Sequence, residues 1–329
     1  MLLAGDVGGT KTIIGLFAHS PGRPTLLETR TYRTVEFSSL GELSRQFFRD
    51  TSAKTSDIEA ASFGVAGPID GTRAQLTNVP WIVDLDEIRR DVPISRAHLL
   101  NDLEALAWSV PVLAADEIEV LHAGESDPLG NVALLAAGTG LGMAVLPNVG
   151  GRLVPRASEG GHADFPARNE AEQKLAEALT NEFGRADVER VVSGPGLANI
   201  HRLLYPHQCA PLTPMPAVEH LPAAISRSAL NGHCPECTRI LEVFVSAYGA
   251  VAGNLALTIL STGGVFLGGG IAPRILPALR WPVFMRAFLA KSPMDALISR
   301  IPVKVILNPG AGLLGAATFA AAEAERVVP

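Results

Sequence analysis

Two stretches of this chain share one pattern: an apolar run, a short glycine turn that carries a threonine, and a second apolar run. The first is LLAGDVGGTKTIIGLF at residues 2–17, and the second is NVALLAAGTGLGMAVLP at residues 131–147. Apolar runs on either side of a glycine turn are typical of paired strands. The recurrence of the pattern in two halves of the chain predicts a duplicated α/β unit that holds a ligand between its copies.

The first turn, GDVGGTKT at residues 5–12, misses the phosphate-binding P-loop pattern G-x-x-x-x-G-K-[ST] because Thr10 stands where the second glycine belongs. A P-loop must open a helix, but the β-branched residues 12–14 favour a strand. The sequence therefore predicts a strand, a Gly8-Gly9 turn and a strand. We expect these glycines to adopt positive φ, so that amides and a hydroxyl approach a phosphate closely. An ordinary Gly-Gly hairpin has the same pattern.

Asp6 stands at the predicted end of the first strand and would face the same space as the turn. A carboxylate beside phosphate-binding amides makes little sense unless a cation lies between it and the phosphate. Asp6 therefore suggests that magnesium binds here together with a nucleotide.

The composition fits an α/β enzyme and argues against nucleic acid or an anionic membrane as a partner. The chain has 329 residues, of which 47% are apolar and 5% aromatic, and its net charge is −6. The longest uncharged run, residues 243–273, could span a bilayer by length, but its glycines predict a buried helix, a turn and a buried strand. Three cysteines are too few for a disulfide framework, which favours a reducing cytoplasm.

Cys234 and Cys237 form a C-x-x-C motif beside His233, which suggests half of a zinc site. A structural zinc ion needs four ligands, and the remaining cysteine, Cys209, has no matching pair. We therefore expect free or surface thiols at these positions.

Other segments place glycine or polar residues at the ends of predicted strands. Residues 58–73 predict a strand that ends in a Gly-Pro loop, and residues 96–100 predict a strand that runs into a helix. The glycines at 268–270 follow a buried strand and precede a helix. A flat ring such as adenine could lie there against the backbone, with no side chain in the way.

Seven motifs, in one order from Gly5 to Ala317, resemble those of the bacterial ATP-dependent glucokinases, of the actin and hexokinase superfamily. They are GDVGGTKT, LLNDLEALA, AAGTGLG, SEGGHADF, ERVVSGPGL, GGVFLGGGI and NPGAGLLGAA. Lys11 stands where many of these glucokinases carry asparagine, so GGTKT is closer to the related repressor, open-reading-frame and kinase family. The sugar kinases of that family usually carry a cysteine-rich zinc motif, of which this chain has half.

The resemblance implies where the nucleotide binds. The first turn would receive the ATP phosphates with Asp6 near the magnesium ion, residues 138–142 would form the second phosphate loop, and residues 268–270 would form the adenosine wall. The nucleotide-binding residues implied in this way are Gly5, Asp6, Val7, Gly8, Gly9, Thr10, Lys11, Gly138, Thr139, Gly140, Gly269 and Gly270.

The resemblance also implies where the sugar binds. Asn101 and Asp102 match the family's N-D pair, Glu159 and His162 its E-G-G-H motif, and Glu189 the acid of its E-R-V-x-S-G-P-G motif. Asp102 falls in the place of the catalytic base. Short donors and acceptors are what a sugar's hydroxyl groups require, and a carboxylate can accept a hydroxyl proton during phosphoryl transfer.

Three of these residues also fit a purely structural role. Asp102 could cap a helix that begins near Leu103, because aspartate is a favoured N-cap residue. Glu189 could be one charge on a solvated helix face, and His162 could be a structural histidine of the core. Both interpretations stay open at this point.

The resemblance implies an α/β fold with two RNase H-like domains of the actin and hexokinase type around a central cleft. The small domain would combine residues 1–110 with 301–329, and the large domain would span residues 111–300. The implied reaction moves the γ-phosphoryl group of ATP to the 6-hydroxyl of glucose, giving glucose 6-phosphate and ADP at the start of glycolysis. We expect a cytoplasmic homodimer that binds neither nucleic acid nor membranes. The alternatives are a kinase for another hexose, such as N-acetylglucosamine or mannose, and a catalytically silent sugar sensor.

Because only half of a zinc motif is present, we predict that the purified protein carries no stoichiometric zinc and keeps its fold after trace metal is chelated. Mass-spectrometric metal analysis checks this, with the melting temperature recorded before and after chelation. One zinc ion per chain would contradict the prediction.

Overall fold

The computed structural model describes residues 1–76, 81–92, 94, 96–206, 212, 216–217 and 219–325, so that Cys209 lies outside the described residues. The chain divides into two compact units: the first holds residues 1–115, 155–157 and those from 308 onward, and the second holds residues 116–154 and 158–307. The resemblance implied that residues from 301 onward belong to the small domain. Strand Val303–Ile306 instead belongs to the second unit, because it pairs with Gly264–Gly268.

The first unit is built on a five-stranded mixed sheet. The strands of this sheet are β1 (Leu2–Val7), β2 (Lys11–Ala18), β3 (Thr25–Arg33), β4 (Ala60–Val65) and β8 (Ala97–Asn101). The short strands β5 (Ile69–Asp70), β6 (Arg73–Gln75) and β7 (Ile82–Asp84) form a separate three-stranded sheet. The order in the main sheet is β3-β2-β1-β4-β8. Strands β1 and β2 form the first predicted hairpin, whereas β1, β4 and β8 run parallel. The predicted strands near residues 58–65 and 96–100 are thereby confirmed.

Helices cover the sheet of the first unit. They are α1 (Leu40–Asp50), α2 (Leu85–Asp91), α3 (Asp102–Ser109) and the C-terminal helix (Ala311–Glu325). Small residues such as Ala316 and Ala320 let the C-terminal helix pack closely, and they are fully buried together with Leu2 and Ala4 of β1. The C-terminal helix and strand β1 therefore share one hydrophobic cluster, although they lie at opposite ends of the sequence.

The second unit repeats the arrangement of the first. The remaining strands of the chain are β9 (Ile118–His122), β10 (Val132–Ala137), β11 (Leu141–Leu146), β12 (Asn148–Val149), β13 (Arg152–Leu153), β14 (Arg156–Ser158), β15 (Gly264–Gly268) and β16 (Val303–Ile306). In the second unit β11, β10, β15, β16 and β9 lie side by side in that order. Strands β10 and β11 form the second predicted hairpin, and β10, β15 and β16 run parallel. An antiparallel hairpin followed by two parallel strands thus occurs twice, which confirms the predicted duplication.

The helices of the second unit surround its longest member, α7. They are α4 (Glu170–Phe183), α5 (Gly194–Leu204), α6 (Leu221–Leu230), α7 (Pro235–Ile259), α8 (Leu276–Leu279), α9 (Pro282–Leu289) and α10 (Asp295–Ile298). Helix α7 is long and apolar enough to cross a membrane, but 67% of its most apolar window is buried inside the protein. Its Tyr248 packs edge-on against Phe284 of α9. Because β15 follows it, the predicted buried helix, turn and strand are confirmed.

The C-x-x-C motif lies at the start of α7, where both side chains are buried. Cys234 is the N-cap residue, and its sulfur accepts a hydrogen bond from the backbone N–H of Cys237 at 3.4 Å. Cys234 is disulfide-bonded, so the prediction of free or surface thiols is wrong for it. Its place in the packed start of α7 is the physical reason that this side chain is not at the surface.

We predict that Gly315→Ala destabilises the first unit. A methyl group at this position would collide with the carbonyl oxygen of Ala105 in α3. The gain in helix propensity, about 1 kcal/mol, is outweighed by the overpacking cost of about 1–3 kcal/mol or more. Chemical denaturation measures the free energy of unfolding, and Ala322→Gly calibrates helix propensity in the same helix. A variant at least as stable as the parent would contradict this packing.

Candidate active site

Three parallel strands of the first unit end at one edge of the sheet, and the predicted residues of this unit lie there. Val7 at the end of β1 pairs with Val65 at the end of β4, which in turn pairs with Asn101 at the end of β8. The carboxyl ends of parallel strands are where α/β sheets usually bind ligands. The structure thus brings the Asp6 turn and the Asn101-Asp102 pair to the same edge.

The first predicted phosphate turn is closed by its own backbone and braced by Thr34. The N–H of Gly8 donates to the carbonyl of Lys11 at 3.1 Å. The buried hydroxyl of Thr34 donates to the carbonyl of Gly8 at 2.7 Å, and its N–H donates to the carbonyl of Thr10 at 3.1 Å. Sequence reasoning missed Thr34, because nothing local to it indicates a contact with a turn 24 to 26 residues earlier.

The expectation of positive φ in this turn is wrong, because neither Gly8 nor Gly9 adopts it. The hydrogen bond that closes the turn forms without it. What the glycines contribute is the absence of side chains: a Cβ on Gly8 would lie 3.0 Å from the carbonyl oxygen of Lys11. The backbone of the turn therefore stays open to an approaching phosphate.

Asp6 is a largely buried carboxylate, so its negative charge is unfavourable there. Burial raises its pKa, and the nearby positive charge of Lys11 opposes that rise. Its Oδ2 lies 3.4 Å from the point where a Cβ on Gly312 would stand, near the start of the C-terminal helix. A residue larger than glycine would fill the space beside the carboxylate. The motif NPGAGLLGAA contains Gly312, but nothing in the sequence indicates that this residue lies beside Asp6.

The donor set in the first unit fits a magnesium ion that arrives with a nucleotide. Among the described residues, no group of three or more His, Cys, Asp or Glu side chains could hold a metal ion. Magnesium is commonly bound through one or two carboxylates, with water and substrate phosphates as its other ligands. A single carboxylate beside the predicted phosphate turn fits this pattern, and a cation there would offset the cost of burying Asp6.

The structure separates the roles of Asn101 and Asp102. Asn101 is the N-cap of α3: its Oδ1 accepts a hydrogen bond from the N–H of Leu103 at 2.9 Å, and its Nδ2 donates to the carbonyl of Gly67 at 3.4 Å. Asp102 is the first residue inside the helix, and its Oδ1 also accepts a hydrogen bond from the same N–H at 2.9 Å. The alternative in which Asp102 is the N-cap residue is therefore wrong, although its carboxylate shares the amide of Leu103 with the cap.

In the second unit the predicted phosphate loop and the predicted adenosine wall lie side by side. Ala136 of β10 pairs in register with Gly268 of β15, so both segments leave the same edge of the sheet. Gly269 has a φ of 79°, and a Cβ there would stand 2.5 Å from the carbonyl oxygen of Ala137, so only glycine fits. A Cβ on Gly270 would meet no atom within 4 Å. The surface beside Gly270 is therefore open enough for a flat ring.

The E-G-G-H segment and Glu189 meet next to this loop. Gly161 packs directly against the carbonyl oxygen of Leu141, so that any side chain would collide, and its own carbonyl accepts from the N–H of Glu189 at 2.9 Å. The side chains of Glu159 and His162 are 84% and 54% exposed, with Oε2 and Nε2 3.9 Å apart. The structure therefore brings the three predicted sugar residues of this unit into one region.

Two structural alternatives from the sequence do not hold here. His162 is exposed, so it is not a histidine of the core. Glu189 lies between α4 and α5 and not on a helix, and its carboxylate accepts a hydrogen bond from the N–H of Leu141 at 2.8 Å. Neither side chain is therefore explained by the structural role that the sequence left open.

Comparison with known proteins decides the family. A glucokinase family model matches residues 3–323. The chain belongs to the glucokinase family. A glucokinase from Synechocystis is 39% identical over 97% of both chains. The crystal structure of a glucokinase from an Antarctic psychrotroph is 30% identical, with a TM-score of 0.83, and covers 97% of this chain and 98% of its own.

A more distant structure supports the fold alone. It is a glucokinase from Streptomyces griseus, of the ROK (repressor, open-reading-frame and kinase) family, in complex with glucose and AMPPNP. It is 22% identical, with a TM-score of 0.65, and covers 97% of this chain and 98% of its own. The mixed-sheet α/β architecture of this protein is therefore shared by both families of sugar kinases.

We predict that Asp6→Asn raises the melting temperature of the ligand-free protein at about pH 8, well above the ordinary pKa of aspartate, where the unfolded state gains more free energy from ionising this carboxyl than the folded state does. Because burial raises the pKa of Asp6, the folded state binds this proton more tightly than the unfolded state. Titration of this carboxyl therefore destabilises the fold above the ordinary pKa of aspartate, and the gain on substitution should shrink as the pH falls below about 4, where the carboxyl becomes protonated in the unfolded state as well. Thermal unfolding across this range is the measurement.

The matched control is Asp70→Asn, which removes an exposed carboxylate of the same unit. It should not reproduce this pH-dependent gain. An Asp6→Asn variant that is less stable than the parent at the higher pH would show that the carboxylate is already compensated inside the protein.

Proposed function

We propose that this protein is an ATP-dependent glucokinase that transfers the γ-phosphoryl group of ATP to the 6-hydroxyl of glucose. The observation that carries the proposal is the place of Asp102 in a chain of the glucokinase family. It lies at the sheet edge that also holds the Asp6 turn, and the N-cap of its helix is provided by Asn101. A carboxylate so placed is suited to accept a proton beside a phosphate site.

In the proposed reaction Asp102 is the general base. Its carboxylate takes the proton of the 6-hydroxyl while the sugar oxygen forms a bond to the γ-phosphorus of ATP. The bond between that phosphorus and the bridging oxygen of the β-phosphate breaks, and ADP leaves with the electron pair. Phosphoryl transfer needs positioning and charge neutralisation more than covalent help from the protein, so one base suffices.

The phosphates would be held by the two glycine turns. In the first unit the backbone of residues 8–10 and the exposed ammonium of Lys11 are the groups available to them. In the second unit these groups are the amides of residues 138–140, with Gly269 and Gly270 beside the adenosine. Magnesium held by Asp6 would supply positive charge to the phosphate oxygens. Thr34, through its hydrogen bonds to the carbonyls of Gly8 and Thr10, would hold the backbone of the first turn in place during phosphoryl transfer.

The sugar would be held by Asn101, Glu159, His162 and Glu189. These side chains supply both donors and acceptors, which the hydroxyl groups of glucose need in pairs. A sugar that lacks one partner hydroxyl would leave a desolvated polar group unpaired, at a cost of about 1–3 kcal/mol. Discrimination among hexoses would therefore rest on hydrogen bonds more than on apolar contacts.

The same proposal extends to the architecture and surroundings of the enzyme. The order β3-β2-β1-β4-β8, with a hairpin followed by parallel strands, supports an RNase H-like unit of the actin and hexokinase type, and the second unit repeats it. We take the enzyme to be a cytoplasmic homodimer that binds no nucleic acid or membrane. A coupled assay of ADP release across glucose, mannose and N-acetylglucosamine tests the substrate. A clearly higher rate of ADP release with another hexose than with glucose would replace glucose as the substrate in the proposal.

We predict that Asp102→Asn lowers kcat by about two to four orders of magnitude, the usual worth of a positioned general base. Asparagine keeps the size of the side chain and can still hydrogen-bond the hydroxyl, so glucose affinity should change far less. The melting temperature should stay near that of the parent, because the cap of α3 is Asn101. Steady-state rates, calorimetric glucose binding and thermal unfolding on one preparation separate these effects.

The control is Glu104→Gln, which removes a second carboxylate from the same helix. Burial raises the pKa of Glu104, and the positive charge of Arg156 opposes that rise. Glu104 is therefore a carboxyl group with a raised pKa, two residues after Asp102 in the same helix. Its loss should leave kcat within a few-fold of the parent. Near-parent turnover in Asp102→Asn, or a collapse of turnover in Glu104→Gln, would move the role of base away from Asp102.

A further inference from the structure

One segment of the second unit holds the predicted second phosphate loop at both ends. The segment is residues 189–194, which lead into α5. At one end the carboxylate Oε2 of Glu189 accepts a hydrogen bond from the N–H of Leu141 at 2.8 Å. At the other end the N–H of Gly194 donates to the carbonyl of Gly138 at 2.8 Å. The geometry of the loop therefore depends on where this segment lies.

The bond to Glu189 orients a peptide group that shapes the loop. The N–H of Leu141 belongs to the peptide that follows Gly140, and the carbonyl of that peptide accepts from the N–H of Gly138 at 2.8 Å. Within the part of the chain that the structure describes, the amides of Thr139 and Gly140 donate to no protein acceptor. These two amides are therefore available to a phosphate, and the peptide held by Glu189 controls how the turn presents them.

Glu189 is also joined to the predicted sugar residues. Its backbone N–H donates to the carbonyl of Gly161, between Glu159 and His162. Only one of its carboxylate oxygens is turned to the loop: Oε2 lies 2.5 Å, and Oε1 3.8 Å, from the point where a Cβ on Gly140 would stand. An ionised carboxylate offers about four acceptor positions, so a sugar hydroxyl can occupy Oε1 while Oε2 keeps the N–H of Leu141.

We propose that Glu189 is a positioning residue through which glucose sets the geometry of the second phosphate loop, so that glucose and ATP bind cooperatively. The proposal rests on the proposed function, which assigns the sugar and the nucleotide to these residues. A carboxylate is planar, so a hydroxyl bound to one oxygen restricts the rotation of the other. The ligand that arrives first thus orders the loop, and the second binds a loop that is already ordered.

Calorimetry measures this coupling directly. A non-hydrolysable ATP analogue with magnesium is titrated with and without saturating glucose, and the ratio of the two affinities is the coupling factor. The reverse titration with glucose must return the same factor, because coupling is reciprocal. We expect the parent to show a factor in the usual range of about 5 to 150, and Glu189→Ala to lose this coupling.

Glu159→Ala is the matched control, because it removes another carboxylate that is predicted to bind the sugar. The ion-pair contact of Glu159 is with His162 and not with the loop. It should weaken glucose binding and keep the parental coupling factor. This readout separates positioning from simple loss of a sugar contact, which would weaken glucose binding without changing the factor.

Gly140→Ala tests the same bond from the loop side without removing any of the predicted sugar side chains. Its Cβ would crowd Oε2 of Glu189 at 2.5 Å and push the carboxylate away from Leu141. The coupling factor should fall, while all the predicted sugar side chains are still present to bind glucose. A parental factor in Glu189→Ala or Gly140→Ala, or a parent without coupling, overturns the inference. A parent that binds neither ligand overturns the proposed function itself, and its separate titrations show this first.

Discussion

The structure depends on one strand in each unit that pairs antiparallel with the strand after it and parallel with a strand much further along the chain. In the first unit this strand is β1, and in the second it is β10. The hairpin turn and the carboxyl ends of the parallel strands consequently emerge at the same edge of the sheet. A shift of this pairing by one residue would turn every side chain to the opposite face. The register therefore decides that Asp6 and the Asn101-Asp102 pair share an edge.

The acids of the site lie in very different surroundings, and this difference fits their proposed roles. Burial raises the pKa of Asp6, so its charge costs free energy until a cation compensates it. Glu159 is 84% exposed. Glu189 is half-buried, and one of its carboxylate oxygens accepts a hydrogen bond from a backbone amide. An unfavourable carboxylate at the proposed metal site would be an example of stability given up for function.

The glycines that made the sequence recognisable do not share one physical purpose. Gly269 needs a backbone conformation that other residues avoid, whereas Gly161 and Gly315 leave room for a neighbouring backbone. At Gly140 the absent side chain leaves room for the carboxylate of Glu189. Most of these glycines therefore act through close packing of segments that are distant in the sequence. In this protein the glycine motifs mostly mark positions where a neighbouring segment packs too closely for a side chain.

The sequence by itself determined the two hairpins, the strands near residues 58–65 and 96–100, the buried helix α7 and the family, because these follow from local periodicity and from the order of motifs. It did not decide between Asn101 and Asp102 as the cap of α3, since both residue types cap well and the first helical residue is set by packing. Nor did it show Thr34 at the first turn, Gly312 beside Asp6, or the bond from Glu189 to Leu141. These contacts join residues that are 26 to 306 positions apart, and only the tertiary fold brings such residues together.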